Sequence, residues 1–146
     1  MPDPAGICVL LIDDSADDVV LVLDALARAG TRVVVWARVE SAAELRAALE
    51  RDWDVALLDW RMPGFGGREA LELLAREHRA PPVIVVSGDY PRSAEIAAAL
   101  QLGADGFCRK GDVAELARVI DGVLLAAGGS LLERTAALVV LREPDG

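Results

Sequence analysis

The stretch ICVLLIDD, residues 7–14, decides the fold, because six apolar residues, Ile7–Ile12, run without interruption into two aspartates. A continuous apolar run of this length is typical of a strand buried on both faces, as in a parallel sheet covered by helices. In open α/β proteins, ligands bind beside the carboxyl ends of such strands. The stretch therefore predicts a buried parallel strand with a polar site, Asp13 and Asp14, at its carboxyl end.

The rest of the chain repeats this unit, since short β-branched runs alternate with Ala- and Leu-rich segments of helical period. The predicted strands are Ile7–Ile12, Arg32–Trp36, Val55–Leu58, Val83–Val86 and Gly106–Cys108. The predicted helices are Ala16–Ala29, Ala42–Arg51, Arg68–His78, Arg92–Leu102 and Val113–Ala126, with N-caps at Ser15, Ser41 and Asp112. Strict alternation of this kind specifies an α/β fold: a doubly wound, five-stranded parallel sheet with helices on both faces.

Strand order decides which polar residues meet. Right-handed crossovers leave few orders for a five-stranded unit, and the common one is 2-1-3-4-5. The topological switch then lies between the first and third strands, where ligands bind. Under this order Asp13 and Asp14 face Asp59 across the crevice, with Ser87 and Lys110 on its far side.

The residues at these strand ends suit phosphoryl chemistry. Three ionised carboxylates gathered in one crevice repel each other unless a cation offsets their charge, and a few hard oxygen ligands suit Mg2+. Asp59 can act as a nucleophile, because carboxylates form acyl phosphates without a general base. The Ser87 hydroxyl and the Lys110 ammonium can stabilise phosphoryl oxygens. We therefore predict a divalent cation site that receives a phosphoryl group on Asp59.

Composition excludes several other classes of protein. The formal charge of −9 argues against nucleic-acid binding, which demands clustered Lys and Arg. The amino terminus does not resemble a signal peptide, and no uncharged apolar run reaches the roughly 18 residues of a membrane helix. We therefore expect a cytoplasmic protein with no membrane partner. Cys8 and Cys108 lie in apolar runs and are predicted to be buried thiols without a redox or metal role.

Four motifs, in this order and spacing, resemble the receiver domain of two-component response regulators. They are LLIDDS (10–15), LLDWRMPG (57–64), VVSGD (85–89) and GADGFCRK (103–110). The resemblance covers roughly residues 7–126, most of the chain. It implies a flavodoxin-like fold and a chemotaxis-regulator-like receiver.

The resemblance also implies a metal and phosphoacceptor site. Asp59 would be the phosphoacceptor. Asp13 and Asp14 would bind Mg2+ or Mn2+ together with Asp59 and the backbone carbonyl of Arg61.

Three further residues would respond to the phosphoryl group. Ser87 and Lys110 would contact its oxygens, and Ser87 and Phe107 would form the switch that changes the surface of the fourth and fifth helices. The chain departs from the family at Gly111, where a proline is usual, often after a cis peptide bond. A cis bond is disfavoured before glycine.

These features predict a stand-alone signalling switch, with a receiver over residues 1–129 and a short tail, 130–146, but no separate output domain. The phosphoryl donor would be a sensor histidine kinase or a histidine phosphotransferase. A separate effector protein and a homodimer are further partners compatible with this reading. The chain is expected to carry out self-phosphorylation and autodephosphorylation only, and otherwise not to be an enzyme. A further open alternative is that the chain is a piece of a hybrid kinase.

Two alternatives to a working receiver stay open. Aspartate-nucleophile phosphatases have a similar site but carry a second acid two residues after the nucleophile, where this chain has Arg61. A phosphorylation-independent interaction module would keep the fold, with the switch lost through the change at Lys110–Gly111.

Overall fold

The computed structural model describes residues 6–77, 79–88 and 93–128 of the chain, and within them five strands alternate with five helices. The strands are β1 (Ile7–Ile12), β2 (Val33–Val39), β3 (Val55–Asp59), β4 (Val83–Ser87) and β5 (Gly106–Arg109). The helices are α1 (Ala16–Arg28), α2 (Ala42–Ala48), α3 (Gly67–Ala75), α4 (Ser93–Gln101) and α5 (Val113–Ala126). The predicted helix ends at His78 and Arg92 and the tail 130–146 lie outside the described residues.

All neighbouring strands pair in parallel, in the order β2-β1-β3-β4-β5. The predicted doubly wound topology is therefore confirmed. The register brings the carboxyl ends level, since Asp59 of β3 pairs with Val86 of β4, and Ser87 pairs with Arg109 of β5. The polar residues at these ends consequently share one edge of the sheet.

Two apolar layers enclose the sheet, one on each face. On one face Leu10 and Leu58 belong to a buried cluster that also takes in Leu45 of α2 and Leu71 of α3. On the other, alternate strand residues join Leu26 of α1 and Ile120 of α5 in a second cluster. The central strands β1, β3 and β4 are apolar up to their carboxyl ends because both of their faces are buried, whereas the edge strand β2 leaves Val34 and Trp36 exposed.

Helices α1, α2 and α5 begin where the sequence predicts, whereas α3 begins at Gly67, one residue before the predicted Arg68. The side chains of Ser15, Ser41 and Asp112 accept hydrogen bonds from the backbone N–H three residues later, at 3.2, 3.2 and 3.1 Å. These bonds satisfy N–H groups that the first helical turn leaves without partners.

The helices of the described ranges are all too short or too polar to cross a membrane.

Most elements differ from their predicted spans by one residue at an end, and three differ by three residues. Helix α3 ends at Ala75, three residues before the predicted end at His78. Strand β2 continues three residues beyond Trp36, because Ala37 and Val39 pair with Leu10 and Ile12 of β1. Helix α2 ends at Ala48 and not at Arg51. The indole N–H of Trp53 donates to the Ala48 carbonyl at 2.8 Å, which satisfies a carbonyl at the helix end.

Carboxylates also stand at the amino ends of two strands, where backbone groups satisfy them. Asp54, which precedes β3, is 1% exposed and accepts a hydrogen bond from the Cys8 N–H at 2.7 Å. Asp105, which precedes β5, accepts one from the Val83 N–H at 2.8 Å. Both carboxylates thus join neighbouring strands at the end of the sheet opposite Asp59.

Candidate functional site

A cluster of three carboxylates lies at the carboxyl ends of β1 and β3. Asp13 and Asp14 follow β1, and Asp59 is the last residue of β3. Each offers an oxygen, and these oxygens all lie within 4.8 Å of one another. The structure brings these residues together because β1 and β3 are adjacent parallel strands, as the strand order predicts.

Asp59 lies deep in this cluster and has few groups that stabilise its charge. Burial raises the pKa of Asp59 above its ordinary value, and the Asp13 charge adds to the rise, while Lys110 and a hydrogen bond from the Arg61 N–H oppose it. That N–H donates to Oδ1 of Asp59 at 3.2 Å. A buried carboxylate with so little compensation favours the approach of a cation.

Lys110 supplies the ammonium of the site. Its Nζ lies 3.4 Å from Oδ2 of Asp59, 3.0 Å from Oδ2 of Asp13 and 2.7 Å from Oδ2 of Asp18. Burial alone would lower the pKa of Lys110, but its bonds to Asp18 and Asp13, with the charges of Asp13 and Asp59, raise the pKa above its ordinary value. Lys110 therefore stays charged and bridges three acidic side chains.

The contact between Lys110 and Asp18 is the feature of the site that the sequence analysis missed. Asp18 stands in the first turn of α1, where an aspartate ordinarily favours the helix start. Its N–H donates to Oγ of Ser15, which is the contact that the capping pattern indicates. The partner of its carboxylate is 92 residues away in sequence, and the local pattern carries no sign of it.

Ser87 ends β4, next to this cluster in the sheet order. Its side chain is buried, and its Oγ has no hydrogen-bond partner within the described part of the chain. Its carbonyl accepts a hydrogen bond from the Lys110 N–H at 2.7 Å. The backbone thus ties the residue that carries a free hydroxyl to the residue that carries the ammonium. A buried hydroxyl without a partner is costly unless a ligand supplies one.

The other predicted residues lie around this centre. Phe107 of β5 is half-buried and packs against the cluster that contains Leu58. The Arg61 guanidinium lies 3.5 Å from the carboxylate of Glu95 of α4. The described peptide bonds are all trans, including the bond between Lys110 and Gly111.

The assembled charges determine what the site can hold. The site gathers four carboxylates and one ammonium, which pairs with three of them, so negative charge is in excess. Oxygen ligands in a negative crevice suit a hard divalent cation, and the three clustered aspartates fit that requirement. A phosphoryl group next to Asp59 would then find the cation, the Lys110 ammonium and the Ser87 hydroxyl as groups that stabilise its charge.

Known proteins resemble this chain in sequence. Residues 9–121 match the family model of the response regulator receiver domain. A protein-glutamate methylesterase/protein-glutamine glutaminase of Myxococcus xanthus is 35% identical over 138 residues, a match that covers 93% of this chain and 38% of that protein. The chain spans about a third of the length of the first curated relatives it matches, and the match involves only their receiver part.

Solved structures agree. The signal receiver domain of the putative response regulator NarL from Mycobacterium tuberculosis superposes with a TM-score of 0.66 at 30% identity, covering 86% of this chain and 99% of that one. The receiver domain of the histidine kinase CKI1 from Arabidopsis thaliana, complexed with Mg2+ and BeF3−, gives 0.66 at 27% identity, covering 80% and 89%. This chain belongs to the family of response regulator receiver domains.

Proposed function

We propose that this receiver takes a phosphoryl group on Asp59 from a phosphohistidine donor, in a reaction that depends on Mg2+, and that the acyl phosphate switches its protein contacts. One observation carries the proposal. Asp59 lies in a cluster of carboxylate oxygens within 4.8 Å of one another, with the Lys110 ammonium 3.4 Å from it. A nucleophile, a cation site and a fixed positive charge therefore meet at one point.

The cation would be held by Asp13, Asp14 and Asp59, with the backbone carbonyl of Arg61 as a further ligand. The oxygen-rich, negatively charged cluster fits Mg2+ or Mn2+. When bound, the metal would neutralise charge on the phosphoryl oxygens. The complex of the CKI1 receiver with Mg2+ and BeF3− supports this assignment, because that protein is 27% identical to this chain.

The transfer needs little from the protein beyond position and charge. An oxygen of the Asp59 carboxylate bonds to phosphorus as the bond from phosphorus to the donor histidine nitrogen breaks. The bond's electron pair leaves with that nitrogen, and a proton on the ring, carried on the other nitrogen or taken from water, makes the departing donor a neutral imidazole. Lys110 and Ser87 would contact the phosphoryl oxygens, and the buried Ser87 hydroxyl, which has no partner among the described residues, would gain one.

The output would pass through protein contacts. Ser87 and Phe107 would form the switch, because a hydroxyl and a ring that share limited space can take two discrete arrangements. The donor would be a sensor histidine kinase or a histidine phosphotransferase in the cytoplasm, and a separate effector or a second copy would read the switch. Residues 1–129 would form the receiver, without nucleic-acid binding and without turnover of an external substrate.

A labelling experiment tests the proposal. The chain is incubated with Mg2+ and acetyl phosphate, and its intact mass is followed. We expect a gain of one phosphoryl group that Asp59→Asn abolishes and that removal of Mg2+ by EDTA prevents. As a control, Asp52→Asn changes the same kind of group at an exposed ion pair with Arg79 and should be labelled normally.

Two other outcomes would contradict the proposal. Failure of labelling while Mg2+ still binds would favour a phosphorylation-independent interaction module. Sustained hydrolysis of phosphate esters would favour an aspartate-nucleophile phosphatase, although Arg61 occupies the position of the second acid in such enzymes.

A further inference from the structure

We propose that Asp18 is a positioning residue that holds the Lys110 ammonium beside the metal site and so leaves Asp13 and Asp59 free to bind the cation. The inference rests on the proposed function, since it concerns the same site. It adds a residue whose place in the first turn of α1 does not indicate such a role.

The distances show how the ammonium is shared. Lys110 Nζ is closest to Asp18, at 2.7 Å, then to Asp13 at 3.0 Å and to Asp59 at 3.4 Å. The Asp18 side chain is 43% exposed, whereas those of Asp13 and Asp59 are 8% and 11% exposed. Asp18 thus draws the ammonium toward the rim of the crevice, away from the two deepest carboxylates.

Asp18 is well placed to do this without competing for the cation. Its carboxylate is not among the three that cluster within 4.8 Å. The first turn of α1 fixes its backbone, because its N–H bonds to Oγ of the N-cap Ser15. The backbone at Lys110, by contrast, is followed by Gly111, and glycine restrains the backbone least of all residues. The ion pair with Asp18 is therefore the contact that holds the ammonium at the rim.

The ammonium and a metal ion compete for the same oxygens. Oδ2 of Asp13 and Oδ2 of Asp59 both face Lys110, and both residues belong to the metal cluster. A bound divalent cation repels the ammonium. Asp18 offers the ammonium an anion outside the cluster, so that it remains near the phosphoryl position while the cation occupies the crevice. Without Asp18, Lys110 would settle between Asp13 and Asp59 and oppose metal binding.

A Mg2+ titration tests this directly and does not depend on phosphoryl transfer. Backbone amide signals of the 15N-labelled full chain are followed as Mg2+ is added to the wild type, Asp18→Asn and Asp17→Asn. Asp17 is the matched control, because it is the adjacent, exposed aspartate of the same helical turn. We expect Asp18→Asn to raise the Kd for Mg2+ by roughly 5-fold, and Asp17→Asn to raise it less than about 2-fold.

A double-mutant cycle separates positioning from simple loss of charge. In a Lys110→Met background the ammonium is absent, so Asp18→Asn should weaken Mg2+ binding no more than Asp17→Asn does. Asp18→Glu, which keeps the carboxylate, should restore most of the affinity lost in Asp18→Asn. An equal effect of both asparagine variants, or an Asp18→Asn effect that persists in Lys110→Met, would overturn the inference.

The two proposals can fail separately. If the wild type binds Mg2+ and shows the Asp18–Lys110 coupling but never gains a phosphoryl group, the inference stands and the proposed function is wrong. If the wild type is phosphorylated on Asp59 but the cycle shows no coupling, the proposed function stands and the role of Asp18 is wrong.

Discussion

Gly67 lies directly against Trp60: its N–H donates to the Trp60 carbonyl at 3.2 Å, and a β-carbon at Gly67 would lie 2.5 Å from Cε3 of the indole. Trp60 is the residue after Asp59, and Gly67 is the first residue of α3. The close approach thus fixes the chain that follows Asp59 against the start of the next helix.

Substitution of Gly67 should therefore disturb this loop. The added methyl of Gly67→Ala must displace the indole or the backbone, so we expect a loss of about 1–3 kcal/mol in the free energy of unfolding. Urea denaturation followed by circular dichroism measures it. At Gly66 the nearest atom to an added β-carbon is 3.9 Å away, and Gly66→Ala should change the free energy by less than about 1 kcal/mol. Equal losses in both variants would contradict the role of the Trp60 contact.

Asp59 should reduce the stability of the metal-free protein. Burial raises the pKa of Asp59, so the folded state holds its proton more tightly than the unfolded state does, and the ionised form costs folding free energy at neutral pH. Asp59→Asn should raise the free energy of unfolding at pH 7 by roughly 0.5–2 kcal/mol. Urea denaturation in EDTA measures the difference.

The pH and metal dependence of that difference check its cause. The gain should shrink as the pH falls through the raised pKa of Asp59 towards the ordinary aspartate value of about 4, where both states become protonated. It should also shrink in Mg2+, which stabilises only the wild type through this carboxylate. A gain that is the same at every pH would rule out the charge as its source.

Ser87 offers a test of the unpaired hydroxyl. Because its Oγ has no partner in the described residues, Ser87→Ala should change the free energy of unfolding by less than about 1 kcal/mol. Ser87→Ala should nevertheless slow phosphorylation by acetyl phosphate roughly 100-fold, because it removes a hydroxyl that stabilises the phosphoryl group during transfer. Ser87→Thr keeps the hydroxyl and should keep most of the rate.

Ser41 is the matched control for that variant. Its Oγ accepts a hydrogen bond from the Glu44 N–H at 3.2 Å as the N-cap of α2. Ser41→Ala should cost about 1 kcal/mol of stability and leave the phosphorylation rate unchanged. If Ser87→Ala loses stability while keeping its rate, the hydroxyl serves the fold and not the site.

Cys108 should be chemically inert in the folded protein. Burial raises the pKa of its thiol to about 11, and the nearby charges of Glu115 and Asp112 add to the rise. Since the thiolate is the reactive form, iodoacetamide at pH 8 should leave Cys108 unmodified in buffer but modify it in urea. Peptide mass spectrometry reports the site. Rapid modification of the folded chain would contradict a buried, protonated thiol.

The sequence predicts the sheet well because its signals are local. Each strand is a short apolar run, and the alternation with helices, together with the handedness of crossovers, leaves few strand orders. The meeting of Asp13, Asp14 and Asp59 follows from that order alone. The family resemblance added a switch role for Ser87 and Phe107 and the Arg61 carbonyl as a metal ligand, and these roles remain predictions.

What the sequence does not reveal depends on contacts between distant segments. Helix α2 ends early where Trp53 reaches back to Ala48, and strand β2 runs on because β1 offers partners for Ala37–Val39. The local sequence indicates only that Asp18 favours the start of a helix, yet its closest charged partner is Lys110. Propensity describes neighbours in the chain and contains no information on such pairs.

The aspartates at the two ends of the sheet have opposite consequences for engineering. Asp54 and Asp105 accept backbone hydrogen bonds that join strands, whereas Asp59, at the other end, has its pKa raised by burial. The carboxylates that join strands and the carboxylates of the candidate site thus lie at opposite ends of the strands. Substitutions at Asp54 or Asp105 therefore change the stability of the sheet while leaving every residue of the candidate site in place.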